Sequence, residues 1–317
     1  MRMAKNILVL LGALGVLGAV ARPMPTTAAF ERTLALQVFL DRAGFSPNAI
    51  DGAWGRKSQV ALATYCAVKG RPVPATPEAA CLELVGATLP PLAIETVTVA
   101  DHAALVRIPA DPEAKSKLTE MGYETIEEMF AERGHLTQGA LRRLNPTLAW
   151  PNPPAGAHVR LPHFGADPSA PKRRGAKKGA RVNVLRVSLT RREITAFDSD
   201  GGFLLLLPCS IAADKAKLPP AGEILIRGMV PRPNYTYRPD FTPKGAKSVK
   251  HIFPPGPNNP VGVVWMGLTL AGYGIHGTPK PEQIGRAESH GCFRLANWNA
   301  RRLYDLCDPG VAVVIEN

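Results

Sequence analysis

Apolar positions change their period along the chain. Leu34, Leu36, Val38, Phe39 and Leu40 fall at spacings compatible with a helix, and Val60, Leu62 and Tyr65 begin another. Between them, residues 44–55 gather Pro, Asn, Asp and Gly, residue types that set turns. Residues 123–131 again show helical spacing, with Thr125 placed to cap it. Residues 141–144 predict a further helix, stopped by Asn145-Pro146, and 156–162 predict a short closing strand. From residue 181 the period becomes two. Val182, Val184, Leu185 and Val187 open a strand, and 194–197, 203–207, 224–226, 261–266, 275–277 and 311–315 continue the series. One helix is expected there, over 298–306.

This pattern divides the 317 residues into segments. Residues 30–85 form a small helical domain, and 86–116, rich in Pro, Ala and Thr with little periodicity, read as a linker. Residues 117–165 form a small α/β unit. Residues 166–180 hold the run Lys172-Arg173-Arg174-Gly175-Ala176-Lys177-Lys178, either a solvated hinge or an electrostatic attachment to anionic wall or membrane polymer. Residues 181–317 are mainly β. The first 29 residues combine a basic start, an apolar stretch from Ile7 to Ala21 and small-residue cleavage candidates at Ala19-Val20-Ala21 and Thr27-Ala28-Ala29, which reads as a secretory signal peptide. The net charge of +12 suits an anionic partner, and export points away from nucleic acid toward the cell wall. Five cysteines leave one unpaired if the rest pair. Cys66 with Cys81, and Cys209 with Cys307, are candidate pairs or four reduced thiols.

Candidate chemistry concentrates near the end. Gly274-Ile275-His276-Gly277-Thr278 is followed by Ser289-His290-Gly291-Cys292-Phe293-Arg294-Leu295-Ala296-Asn297. A thiol, two imidazoles and a glycine-flanked turn are the parts that acyl transfer by a cysteine needs. Gly291 lets the backbone turn sharply, so that amide N–H groups face a developing oxyanion. Zinc at His276, His290 and Cys292 lacks a fourth ligand nearby, so no metal is expected, and no cofactor or nucleotide fingerprint is present.

The string from Ser289 to Asn297, with His276 upstream, resembles the signature of the L,D-transpeptidases, the YkuD-type cell-wall enzymes. The resemblance covers roughly residues 181–317 and includes Pro254 to Pro260 and Gly272-Tyr273-Gly274. It implies a β-sandwich-like catalytic domain, Cys292 as nucleophile, His276 as general base, and the Gly277 carbonyl as the group that orients that base. Backbone N–H groups near Ser289, His290, Gly291 and Cys292 would form the oxyanion hole, with the His290 ring holding the loop. Arg294 would meet a substrate carboxylate. Asn297 and Tyr273 are placed with it around the substrate, Asn297 also pinning the loop, and Trp265 is a candidate groove residue. The substrates implied are peptidoglycan stem peptides, with crosslinking between third residues, hydrolysis, or attachment of a lipoprotein as outcomes.

Two further resemblances concern the preceding units. Leu36, Gln37, Leu40, Gly44, Phe45, Ile50, Asp51, Gly52, Gly55, Ala61 and Leu62 resemble a peptidoglycan-binding-like three-helix module. The order helix, helix, Asn145-Pro146, then Gly156 to Pro162 resembles a LysM-type module. Both imply glycan binding and an enzyme tethered to the wall.

Overall fold

The computed structural model describes residues 27–87, 92–164, 181–238, 250–285, 287–289 and 291–317. Most of the leader and the whole basic run of 172–178 lie outside them. The first unit contains α1 (Thr27–Arg42), α2 (Arg56–Val68) and α3 (Pro77–Leu84). Leu36, Leu40, Phe45, Ala61, Leu62, Cys66, Ala80 and Cys81 share one core. The buried Gln37 side chain holds the intervening turn. Its Nε2 donates to Asp51 Oδ1 at 2.9 Å and to Ser58 Oγ at 3.0 Å, and the Gly52 N–H donates to its Oε1 at 2.8 Å. Gly52 sits at φ 69°, and a Cβ there would lie 2.2 Å from the Phe30 ring, so this position admits only glycine. The Gln and Asp-Gly residues of the predicted motif therefore build the fold of this unit.

The second unit starts earlier than expected. The supposed linker of 86–116 contains β1 (Ala93–Thr96), α4 (Val99–Ala103) and α5 (Pro112–Ser116). β1 pairs antiparallel with β2 (His158–Leu161), and α6 (Ile126–Arg133) and α7 (Gln138–Leu144) lie between them in sequence. Thr125 caps α6 by accepting from the Glu128 N–H, and Thr137 does the same for α7 from Ala140. The Asn145 side chain donates to the Leu141 and Arg160 carbonyls and accepts from the Arg160 N–H, which ties the end of α7 to β2.

The C-terminal domain runs β3 (Val184–Ser188), β4 (Glu193–Phe197), β5 (Phe203–Pro208), β6 (Ile211–Ala212), β7 (Gly222–Pro231), β8 (Tyr235–Tyr237), β9 (His251–Phe253), β10 (Val264–Leu268), β11 (Gly274–His276), β12 (Ala287–Ser289), β13 (Phe293–Arg294), α8 (Asn297–Leu306) and β14 (Ala312–Glu316). Eight of these strands form one mixed sheet in the order β13-β11-β10-β7-β14-β3-β4-β5. This corrects the sandwich expectation, because the two faces of the core belong to one sheet curled on itself. Just past β5, Ser210 exchanges backbone hydrogen bonds of 2.9 and 3.0 Å with Arg294 of β13, joining the two ends of the sheet. Leu205 and Leu207 from one end and Phe293 from the other meet in a single core with Val187, Ile194, Met266, Ile275 and Leu303.

The three units pack together instead of trailing on tethers. Phe45 of the first unit bridges Leu206 of β5, with Ser46 N–H donating to the Leu206 carbonyl at 2.9 Å. Ile50 bridges Leu136 of the second unit, and Phe30, Leu34, Val38 and Ile50 enter the core of that unit. Met121 N–H donates to Pro255 O at 2.9 Å, and Asn258 N–H returns to Met121 O at 3.0 Å. All five cysteines are free thiols, so neither candidate disulfide forms.

Candidate active site

β11 and β13 run side by side in parallel, with Ile275 opposite Phe293 and His276 opposite Arg294. Residues opposite one another project to one face, so His276 and Arg294 stand together, and Cys292 precedes Arg294 by one pleat repeat. Gly291 turns the chain into Cys292 at φ 144°, a conformation that favours glycine. Cys292 is half-buried, and its Sγ lies 3.6 Å from the Gly272 carbonyl.

The His276 ring is buried. Its Nδ1 lies 2.6 Å from the Gly277 carbonyl. A carbonyl only accepts, so Nδ1 carries the proton and a neutral ring leaves Nε2 unprotonated. The Gly277 carbonyl thus accepts from His276 Nδ1 and fixes the tautomer of the ring. Burial is the main force on this ring and pushes its pKa down to about 4; the Gly277 bond opposes the shift and the Arg294 charge adds to it. Trp265, opposite His276 on β10, stacks on the imidazole with centroids 5.4 Å apart and planes at 20°. Gly274 leaves room for that indole, since a Cβ there would lie 2.5 Å from it.

Burial also raises the Cys292 thiol above its ordinary value of 9.0, against a lowering by a hydrogen bond with the Gly274 backbone and by Arg294. Thiol and imidazole are thus both neutral at rest, and a standing thiolate–imidazolium pair is disfavoured. The alkylation rate of Cys292 with iodoacetamide should consequently keep rising with pH to about 9 and beyond. A plateau below pH 7 would show a preformed thiolate instead. The other four cysteines are buried, so the measurement reports one site.

Arg294 is partly exposed, while its Nε is buried and lacks a hydrogen-bond partner among the described residues. Tyr273 packs beside Gly291, whose Cβ would lie 3.2 Å from the ring, and its hydroxyl donates to the Lys217 carbonyl at 2.9 Å. Asn297 is fully buried at the start of α8, and its Nδ2 donates to Pro257 O at 3.1 Å and to Glu132 Oε2 at 3.2 Å. These bonds tie the loop to the backbone at Pro257 and to the second unit. A Cβ on Gly277 would come within 2.2 Å of its Oδ1, so Asn297 also fixes the backbone that holds His276. Ser289 lies in β12 opposite Ala212, and His290 lies outside the described residues.

The loop between His276 and Cys292 rests on residues that sequence reasoning missed. Asn48 Nδ2 donates to Pro281 O at 2.7 Å, Lys57 Nζ donates to the Ile284 carbonyl, and Arg192 donates to Gly285 O at 2.7 Å. Ser210 Oγ donates to Gln283 O at 3.2 Å and accepts from the Gly285 N–H at 3.2 Å. Two of these anchors come from the first unit. No periodic or motif signal marks them.

A thiol and a backbone-locked neutral imidazole, carried on neighbouring strands of a curled mixed sheet, define a class of site suited to cysteine acyl transfer. Residues 182–315 match the model of the YkuD family, described as the L,D-transpeptidase catalytic domain. Bacillus licheniformis has a relative assigned by name as the L,D-transpeptidase YkuD. It is 28% identical over 192 residues, covering 61% of this chain and 93% of the relative. The Bacillus subtilis relative YqjB, also named as an L,D-transpeptidase, is 35% identical over 92 residues, covering 24% of this chain and 52% of its own. Among solved structures, an L,D-transpeptidase from Mycobacterium smegmatis aligns at 18% identity and a TM-score of 0.34, over 51% of this chain and 64% of that one. The chain thus spans about half of the second relative and under two thirds of that structure.

Proposed function

We propose that this protein is an exported L,D-transpeptidase of the cell envelope, acting on peptidoglycan tetrapeptide stems through a thioester on Cys292. The observation that carries the reading is the His276–Gly277 contact, which leaves Nε2 basic beside the strand that follows the nucleophile. As the sulfur attacks the carbonyl of the third stem residue, Nε2 takes the thiol proton. Backbone N–H groups at Gly291 and Cys292 receive the oxyanion. The proton then passes to the departing amine, D-alanine leaves, and the acyl group stays on sulfur. An amine from a neighbouring stem resolves the thioester into a crosslink between third residues. Water in its place gives carboxypeptidase activity, and a lipoprotein lysine gives anchoring. Arg294 offers its guanidinium to a stem carboxylate. Tyr273 and Trp265 line the approach to the sulfur.

The low His276 pKa keeps the base functional well into acid. Acylation should therefore lose its base only as pH falls toward about 4. His276→Ala should lower single-turnover acylation by on the order of a hundredfold or more, the usual scale for a lost general base. Product masses after incubation with tetrapeptide muropeptides test the function itself. A loss of D-alanine coupled to dimers supports transpeptidation, a tripeptide alone supports hydrolysis, and unchanged muropeptides refute both.

A further inference from the structure

The Asn297 amide is held in an orientation that its own oxygen does not favour. Oδ1 is buried and has no hydrogen-bond donor among the described residues. A buried acceptor without a donor is destabilising, so something else must fix the group. The nitrogen end supplies that hold, through the bonds from Nδ2 to Pro257 O and to Glu132 Oε2. A carbonyl and an ionised carboxyl only accept, so an amide turned by half a circle would set Oδ1 against both oxygens. Glu132 is itself buried, and the Tyr123 hydroxyl donates to its other oxygen at 3.2 Å.

What Oδ1 faces gives the orientation its meaning. It is wedged against two glycines, because a Cβ on Gly262 would lie 2.1 Å from it and one on Gly277 2.2 Å. The two glycines also touch each other, since the Gly262 Cβ would lie 2.6 Å from the Gly277 carbonyl carbon. That carbonyl is the one that accepts from His276 Nδ1. The second unit also holds the loop that delivers Gly262. Asn258 Nδ2 donates to Gly122 O at 2.9 Å, and a Cβ on Gly256 would lie 2.1 Å from Met121 O. Arg232, at the end of β7, pairs with Glu120 at 3.0 Å.

We infer that Glu132 of the second unit is a positioning residue for the base: it fixes the Asn297 amide, the amide fixes the Gly277 backbone, and the Gly277 carbonyl fixes the His276 ring. Glu132 lies outside the stretch that matches the catalytic family, so the chain supplies this control from a unit of its own. Without it the amide can turn, the Gly277 carbonyl can shift, and the imidazole can take the other tautomer, whose Nε2 carries a proton and is no base. The effect on rate rests on the transpeptidase reading; the effect on the ring does not.

The test compares the full chain with Glu132→Ala, Glu132→Asp and Glu132→Gln, each well below its melting temperature. Asp draws the carboxyl back by one methylene, whereas Gln keeps an acceptor at full reach. Nitrogen–proton spectra of histidine-labelled protein read the His276 Nδ1–H, assigned by its loss in His276→Ala. Single-turnover acylation by a tetrapeptide stem gives a limiting rate and a half-saturating concentration. In Glu132→Ala and Glu132→Asp the Nδ1–H signal should be lost to exchange. The limiting rate should fall about tenfold, the scale of one lost hydrogen bond, with half-saturation unchanged. Glu132→Gln should restore both. Variants that melt lower but keep the wild-type signal and limiting rate would show a purely structural role and overturn the inference. If Glu132→Ala does not fold, the other two decide: equal signals in Glu132→Asp and Glu132→Gln overturn it. A wild-type protein that no tetrapeptide acylates, but whose Nδ1–H responds as described, would refute the transpeptidase reading and leave the positioning role standing.

Discussion

Cys292→Ala should abolish every covalent adduct that the protein forms with a tetrapeptide stem or a carbapenem, leaving the fold intact. Covalent acyl transfer has no route without the sulfur, so the expected loss is complete and not partial. No other thiol can substitute. Cys66 and Cys81 sit in the core of the first unit, and Cys209 and Cys307 are buried in that of the catalytic domain. Burial drives Cys209 further from reactivity still, raising its thiol far above the ordinary range. The cost to stability should be small, because Cys292 is half-buried at a turn and not packed in a core. Intact mass reads the adduct and thermal unfolding reads the fold. Wild-type adduct in the variant would remove Cys292 from the mechanism.

Removing the first 180 residues should cripple the catalytic domain. A tethered enzyme would lose only its attachment to the wall and keep a near-normal acylation rate on soluble substrate, but the packing argues otherwise. Phe45 stacks on Phe203 with centroids 4.8 Å apart and bridges Leu206, so truncation bares part of β5. Asn297 loses Glu132, Asn299 loses the Ser46 hydroxyl at 2.9 Å, and Arg302 loses the Asp41 carbonyl at 2.6 Å. Each lost hydrogen bond costs about 0.5–1.5 kcal/mol net once water takes the partner's place, and the bared apolar surface adds to that. The sum is a large fraction of the roughly 5–15 kcal/mol that holds a typical domain folded. The catalytic loop also loses its holds at Pro281 and Ile284. The fragment 181–317 should melt well below the full chain and acylate poorly at temperatures where the full chain works. Matching melting curves and rates in the two would show that the units are appendages.

How far the sequence reveals this arrangement depends on the length of the element and the distance over which it acts. Strands of five or six residues, such as β3, β4 and the continuous apolar run of β5, are legible from Val184, Leu185, Ile194 and Leu205 alone. β6, β12 and β13 have two or three residues and β8 and β9 three, too few for any period to show. The same limit hid β1, α4 and α5 in a Pro- and Ala-rich stretch read as linker. Alternation also tells which side chains face a core, but not whether the sheet's ends meet, and the Ser210–Arg294 bridge that joins them pairs residues far apart in the chain. Cys292, His276 and Gly277 were legible because their chemistry requires a contiguous motif. Asn48, Lys57 and Glu132 were not, because they support that motif from other units through single hydrogen bonds to carbonyls and an amide. Asn297 shows the intermediate case: its place in the motif was visible, but its burial against Glu132 and Pro257, which decides its role, was not.

The most direct test is the intact mass of the full chain trapped during turnover with a purified disaccharide-tetrapeptide. The account predicts a single acyl adduct equal to the substrate minus D-alanine, mapped by peptide digestion to Cys292 and released by an added amine acceptor. Turnover with no such adduct, or an adduct mapped to any other residue, would contradict it.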